Sequence, residues 1–232
     1  MAKLTIMNSN IFIKNLMNFL PTSLRDKIYR FKQKVKTIYQ ELKIIYGKLT
    51  RKIIGRPAFP KLENGVINLH VGCGHINHPK FINIDGLLAP HIHYIRPIDS
   101  LAPFKDSSVD LIYGSHCLEH FSHRIVSQVL NEWFRVLKKG GILRISVPDF
   151  DFLIDKYRAS GNDINKIISP LMGGKNYKFN FHMTVFNQSN LELLIKKTGF
   201  KEVIKWQPGW CEMTTLNDTS KKKISLNIEA VK

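Results

Sequence analysis

Two glycines one residue apart, Gly72 and Gly74, follow an apolar run from Val66 to Val71, and Asp85 closes the next such run. Small residues at the end of a strand let a ligand approach the backbone closely. A carboxylate at the end of the neighbouring strand can accept hydrogen bonds from both hydroxyls of a ribose. A lone Gly-x-Gly also serves tight turns, so Asp85 carries much of the specificity. Nine histidines are the other reactive groups. His116, His120 and His123 fall together, and His116, Glu119 and His120 have the i, i+3, i+4 spacing that can share a helical face and ligate a metal. An imidazole with its ordinary pKa of about 6.5 can also take a proton from a hydroxyl. His120 and His182 are the candidates for that general base, with a satisfied structural role as the alternative for each. His91 and His93 read as surface residues.

These groups need a scaffold, and the chain from Val66 onward alternates strands and helices in the manner of a wound parallel sheet. Val66–Val71 and Phe81–Asp85 read as strands, and Val109–Ser115 as another, entered through the turn Lys105-Asp106-Ser107-Ser108. Ile125–Leu137 reads as a helix with Val126, Val129, Leu130, Trp133 and Leu137 on one face, stopped by Lys139-Gly140-Gly141. Ile142–Val147 is a strand ended by Pro148-Asp149, and Asn190–Lys197 a helix closed by Gly199. Val203–Trp206 and Ile224–Val231 are the final strands. In an open sheet of this kind ligands bind beyond the carboxyl ends of the strands, where Gly72–Gly74, Asp85 and Ser115-His116 stand.

The 232 residues have a hydrophobic fraction of 44%, which excludes a wholly disordered or collagenous chain. The net charge is +17, but residues 1–60 hold 13 Lys+Arg against 2 acids. A basic extension, 1–60, therefore precedes a more ordinary domain, 61–232. In the extension Leu24, Ile28, Phe31, Val35, Ile38, Leu42, Ile45 and Leu49 recur at steps of four and three, the repeat of a long amphipathic helix. Its flanks, among them Arg30, Lys36 and Lys43, lack acidic partners, which disfavours a parallel self-pairing coil. Residues 22–53 are read as a segment for an anionic membrane surface. Cys73, Cys117 and Cys211 show no paired spacing, as expected of a reducing cytosolic setting. No apolar run is long enough to span a bilayer, and the start lacks the pattern of a signal peptide.

Six segments in order carry a family resemblance: His70-Val71-Gly72-Cys73-Gly74, Ile84-Asp85, Ala102-Pro103-Phe104 before Ser108-Val109-Asp110, Cys117-Leu118-Glu119-His120-Phe121, and Arg135-Val136-Leu137-Lys138-Lys139-Gly140-Gly141. Together they resemble class I S-adenosylmethionine-dependent methyltransferases over about residues 64–232. Ser146-Val147-Pro148-Asp149, Phe181-His182-Met183-Thr184-Val185-Phe186 and Ile224-Ser225-Leu226-Asn227 are similar to small bacterial members associated with glycan and surface-polysaccharide biosynthesis. The resemblance implies a Rossmann-like α/β fold with a seven-stranded mixed sheet after an N-terminal helical extension. It implies S-adenosylmethionine as cofactor, held by His70, Gly72, Cys73 and Gly74, with ribose at Asp85, adenine near Asp99, and the methyl group facing Ser115 and His116. The chain departs from the family pattern at His70, where an acid is usual, and at Ile76, where a third glycine is usual. The Glu-His pair occurs in this family without a metal, so no metal is expected.

The activity so implied is methyl transfer to a hydroxyl of a glycan or other small acceptor, on the cytoplasmic side and peripheral to the membrane. One alternative is a nucleic-acid methyltransferase, motivated by the charge. Against it, Ser115-His116-Cys117-Leu118 stands where amino-directed base methyltransferases have an Asn/Asp-Pro-Pro-aromatic motif, and aromatic RNA-binding modules are not evident. The other is a non-catalytic adaptor retaining the fold, against which the glycines and Asp85 argue. The sequence leaves the oligomeric state open.

Overall fold

The computed structural model describes residues 20, 21, 23, 24, 27, 28, 31, 35, 38, 39, 42, 45, 46, 49, 51–53, 55–61, 65–175, 180–208 and 218–232. The chain forms two compact units, Met1–Leu42 and Lys43–Lys232. In the first, the described residues from Ser23 to Leu42 are helical, and Leu24, Phe31, Val35, Ile38 and Leu42 are exposed. In the second, helical residues continue to Ile53, with Ile45, Leu49 and Ile53 exposed.

The rest of the second unit is built on seven strands: β1 Asn68–Val71, β2 Ile82–Asp85, β3 Tyr94–Ile95, β4 Val109–Ser115, β5 Leu137–Pro148, β6 Lys201–Lys205 and β7 Ser225–Val231. Four α-helices join them: α1 Val126–Val136, α2 Phe150–Ala159, α3 Ile168–Met172 and α4 Gln188–Thr198. The sheet order is β3-β2-β1-β4-β5-β7-β6. β1 to β5 pair in parallel, and β7 inserts antiparallel between β5 and β6. This is the Rossmann-like seven-stranded mixed sheet expected from the sequence. The strand order reverses between β1 and β4, so the crevice of an open sheet lies at their carboxyl ends.

β1 is buried at all four positions and β4 at five of seven, as central parallel strands covered on both faces must be. On one face α1 packs Val126, Val129, Leu130, Trp133 and Val136 into the main core with Leu69, Ile112 and Ile145. Trp133 satisfies its buried indole N–H on the Ile98 carbonyl at 2.8 Å. A smaller aromatic core holds Phe81, Leu111, Tyr113 and Trp206.

Two expectations change. The helix ends at Val136, and Lys139-Gly140-Gly141 lies inside β5 instead of stopping the helix. The pairing of β4 with β5 jumps from Val109↔Leu137 to Leu111↔Ile142, so the glycine pair occupies an irregular excursion of the strand. There Gly140 has φ +77°, and a Cβ on Gly141 would sit 2.8 Å from the Lys138 carbonyl oxygen. Second, β3, α2 and α3 were not expected. β3 has two residues, and α2 follows Pro148-Asp149, read only as a strand end.

Candidate active site

The loop after β1 begins at Gly72, whose φ is +64° and whose N–H donates to the Ile84 carbonyl at 2.8 Å. A Cβ there would lie 2.6 Å from the Cβ of Cys117, so close packing as well as backbone angle requires glycine. Gly74, at φ +57°, faces open space, with nothing within 4 Å of where its Cβ would be. Asp85 braces the loop: its carboxylate accepts from Gly74 N–H and from Leu87 N–H, both at 2.8 Å. Two carboxylate oxygens offer about four lone-pair sites, so acceptor capacity remains after these bonds. Cys73 is buried, and burial pushes its thiol well up, so it stays protonated.

Across the strand-order switch, the hydroxyl of Ser115 is buried without a hydrogen-bond partner among the described residues. His116 follows with φ +52°, its N–H donating to the Ser146 carbonyl at 2.8 Å. Open space beside Gly74, spare acceptor sites on Asp85 and the orphaned Ser115 hydroxyl form a cradle that fits S-adenosylmethionine. The structure thus brings Gly72, Cys73, Gly74, Asp85, Ser115 and His116 to one end of the sheet.

The other expected cofactor residues sit differently. His70 is 1% exposed and packs edge-on to Phe81 and Tyr113 in the aromatic core. Burial holds its pKa down, from 6.5 to about 3, so the ring is neutral. Asp99 is exposed in the turn after Ile98. His93 is not the surface residue expected, while His91 is partly exposed. His91 Nε2 lies 3.0 Å from the Gly74 carbonyl oxygen, against the cradle. His93 is 5% exposed and accepts the Asn83 N–H at 2.8 Å through Nδ1. Both belong to a polar knot around Asn83, whose amide also donates to the His91 carbonyl.

Beyond β4 the chain makes a 3₁₀ turn, Leu118–His120, in place of the helical face imagined for His116, Glu119 and His120. Its centre is Glu119, 1% exposed. The turn is pinned to a distant segment, since Met183 and Thr184 donate their N–H groups to the Glu119 carbonyl, at 2.8 and 3.2 Å. That pairing carries His182 to His120, with ring centroids 5.0 Å apart. His116 Nδ1 stands 3.3 Å and His182 Nε2 3.8 Å from Glu119 Oε1. Burial alone would push the Glu119 carboxyl up, but His116, His120 and His182 outweigh it and hold the group below its usual range. Burial lowers His182 more than Glu119 raises it, which leaves the imidazole neutral. A shallow cleft lined by Pro148, Phe150, Leu171, His182 and Val185 opens beside the pair.

Both candidate bases therefore meet, and His116 joins them, while His123 is exposed. Glu119, weighed from sequence only as a metal ligand beside His116 and His120, proves to be the buried centre of the cluster. A carboxylate in Leu118-Glu119-His120, between residues that prove buried and half-buried, was the available signal. Asp149 caps α2, accepting from the Asp151 N–H at 3.1 Å.

Residues 84–145 match the family model described as "Methyltransferase domain". No curated protein matches the chain. Among solved structures, an S-adenosylmethionine-dependent methyltransferase from Thermotoga maritima is 17% identical, covering 88% of this chain and 96% of its own, with a TM-score of 0.49. One from Methanosarcina mazei is 20% identical over 74% of this chain and 94% of its own, with a TM-score of 0.48. The 1,6-didemethyltoxoflavin-N1-methyltransferase of Burkholderia thailandensis, solved with S-adenosylhomocysteine, is 13% identical over 96% and 89%, with a TM-score of 0.47. The domain match falls on β2 to β5, the strands that carry Asp85, Ser115 and the Glu119 turn. Match and cradle together support an S-adenosylmethionine-dependent methyltransferase on a Rossmann-like sheet.

Proposed function

We propose that the protein methylates a hydroxyl of a glycan or other small acceptor. The observation that carries this reading is the pair His120 and His182 around buried Glu119, next to the Ser115-His116 end of the cradle. When bound, S-adenosylmethionine supplies a methyl group already activated by its sulfonium. Gly74 leaves the space for it, Asp85 accepts from ribose hydroxyls, and Ser115 offers its unpartnered Oγ. A sugar hydroxyl has a high pKa, so its proton must leave as the oxygen attacks. His182 donates Nδ1–H to the Pro170 carbonyl at 2.9 Å, which leaves the Nε2 lone pair for that proton. His120 is fixed the same way by the Phe181 carbonyl at 3.0 Å. Glu119 then stabilises whichever imidazolium forms.

His120→Ala or His182→Ala is expected to lose about 10²- to 10⁴-fold in rate, with cofactor affinity little changed. Full activity in both variants would leave alignment alone as the source of rate. The substrate is tested by incubating the protein with tritiated S-adenosylmethionine and separate fractions of cell glycans, lipids and RNA. Label in the glycan fraction is the expected result, and label in RNA alone would contradict it.

The basic extension is proposed to lie on an anionic membrane surface. Its exposed apolar residues and the Lys and Arg beside them in sequence have the composition of an interfacial helix. No helix among the described residues is long and apolar enough to cross a membrane.

A further inference from the structure

We propose that Glu119, His120 and His182 bind a divalent transition-metal ion of the zinc class, against the expectation from sequence that no metal is held. One donor atom from each lies within 4.8 Å of the others. Neither oxygen of the buried Glu119 carboxylate accepts a hydrogen bond among the described residues. A buried anion left in that state is costly, and the usual compensation is a partner or a metal.

The histidines around it are oriented as metal ligands are. Carbonyl oxygens only accept, so the Phe181 and Pro170 carbonyls fix a proton on Nδ1 of His120 and of His182. Nε2 is then the nitrogen each ring turns toward a ligand, and that of His182 stands 3.8 Å from Glu119 Oε1. His116 is held alike from the other side. Ser225 donates its hydroxyl to the Thr219 carbonyl at 2.8 Å, so its oxygen accepts from His116 Nε2 at 2.8 Å. His116 Nδ1 stands 3.3 Å from the same carboxylate oxygen. Imidazole nitrogens and a buried carboxylate oxygen thus converge on one point.

A cation at that point satisfies the carboxylate oxygens that no hydrogen bond reaches. Histidines whose second nitrogen donates to a backbone carbonyl are the arrangement found around bound metals. Donor atoms each about 2.1 Å from a tetrahedral ion are separated by about 3.4 Å. Between the proposed ligands, His182 Nε2 and Glu119 Oε1 stand 3.8 Å apart, within a small shift of that distance. Two imidazoles and one carboxylate favour zinc and its neighbours over Mg²⁺, which prefers oxygen donors. An ion with three protein donors keeps a position open. A hydroxyl entering it loses its proton to water more readily, with His120 and His182 serving as ligands in place of bases. That use rests on the hydroxyl-directed reading, whereas binding of the ion does not.

The test is calorimetric titration of the full chain, stripped with chelator, with Zn²⁺ and separately with Mg²⁺. S-adenosylmethionine binding is measured on the same preparations. Saturable Zn²⁺ binding at one site, weak or no response to Mg²⁺, and a loss of about 100-fold or more in zinc affinity in His120→Ala with His182→Ala are expected. Glu119→Gln, which keeps the side-chain shape, should weaken zinc in the same way. Should it fail to fold, the half-buried histidines carry the test. Absence of zinc binding, or equal affinity in the double histidine variant, overturns the site. If S-adenosylmethionine still binds in that case, the methyltransferase reading stands without it. Zinc binding without S-adenosylmethionine binding supports the site and overturns that reading.

Discussion

At the scale of single residues, burial decides which polar groups are structural and which are poised for chemistry. His70 shows the first kind. Its folded pKa of about 3 lies below the ordinary 6.5, so from about pH 6.5 downward the unfolded chain takes up a proton that the folded chain refuses. The stability tied to His70 is therefore complete above pH 6.5 and declines toward pH 3, at about 1.4 kcal/mol per pH unit. His70→Phe keeps an aromatic ring against Phe81 and Tyr113 and removes that proton. Urea unfolding between pH 7 and 4 is expected to show a shallower acid slope in the variant, and parallel curves would contradict this account. Gly72 shows a different constraint. Gly72→Ala places a non-glycine residue at φ +64° and a methyl 2.6 Å from Cys117 Cβ. Each effect costs about 1–3 kcal/mol. A fall in melting temperature together with weakened cofactor binding is expected, and a variant as stable as the parent would show that the loop yields easily.

At the scale of elements, periodicity made the long pieces legible and left the short ones hidden. β4 was read with its observed bounds, Val109–Ser115, and α1 with four of the five residues of its buried face, because apolar spacing there is uninterrupted. β3 has only two residues, one of them exposed, and gives no such pattern. Gly140-Gly141 was misread because glycines after a helix usually end it, whereas here the antiparallel partner holds them in β5. Gly140 N–H donates to the Lys232 carbonyl at 2.9 Å, and Lys232 N–H to the Gly141 carbonyl at 3.0 Å. The amphipathic extension makes its own prediction at this scale. The full chain should cosediment with anionic vesicles at low salt, less so at high salt, and hardly with neutral ones. Replacing exposed Phe31 and Ile38 by Asp should leave the protein in the supernatant. If the parent chain stays there too, the stripe serves a protein partner and not a lipid surface.

At the scale of the molecule, topology assembles what sequence order separates. The glycine loop and Asp85 were legible because each ends a strand, and the sheet places such ends together. The pairing of His120 with His182 was not, since it depends on the Glu119 carbonyl capturing the backbone of Met183 and Thr184. Neither motif nor period records that contact. The mistaken surface role of His93 has a similar cause, because Asn83 captures its ring only once β2 is formed. The most direct test of the account is calorimetric titration of S-adenosylmethionine into the full chain and into Asp85→Ala. The account predicts saturable binding at one site per chain. In Asp85→Ala, affinity should fall about 10-fold or more, since charge-assisted hydrogen bonds are worth about 1.5–3 kcal/mol each. Circular dichroism should show the fold of that variant retained. Absence of binding by the parent chain, or unchanged affinity in Asp85→Ala, would contradict the assignment of the cradle.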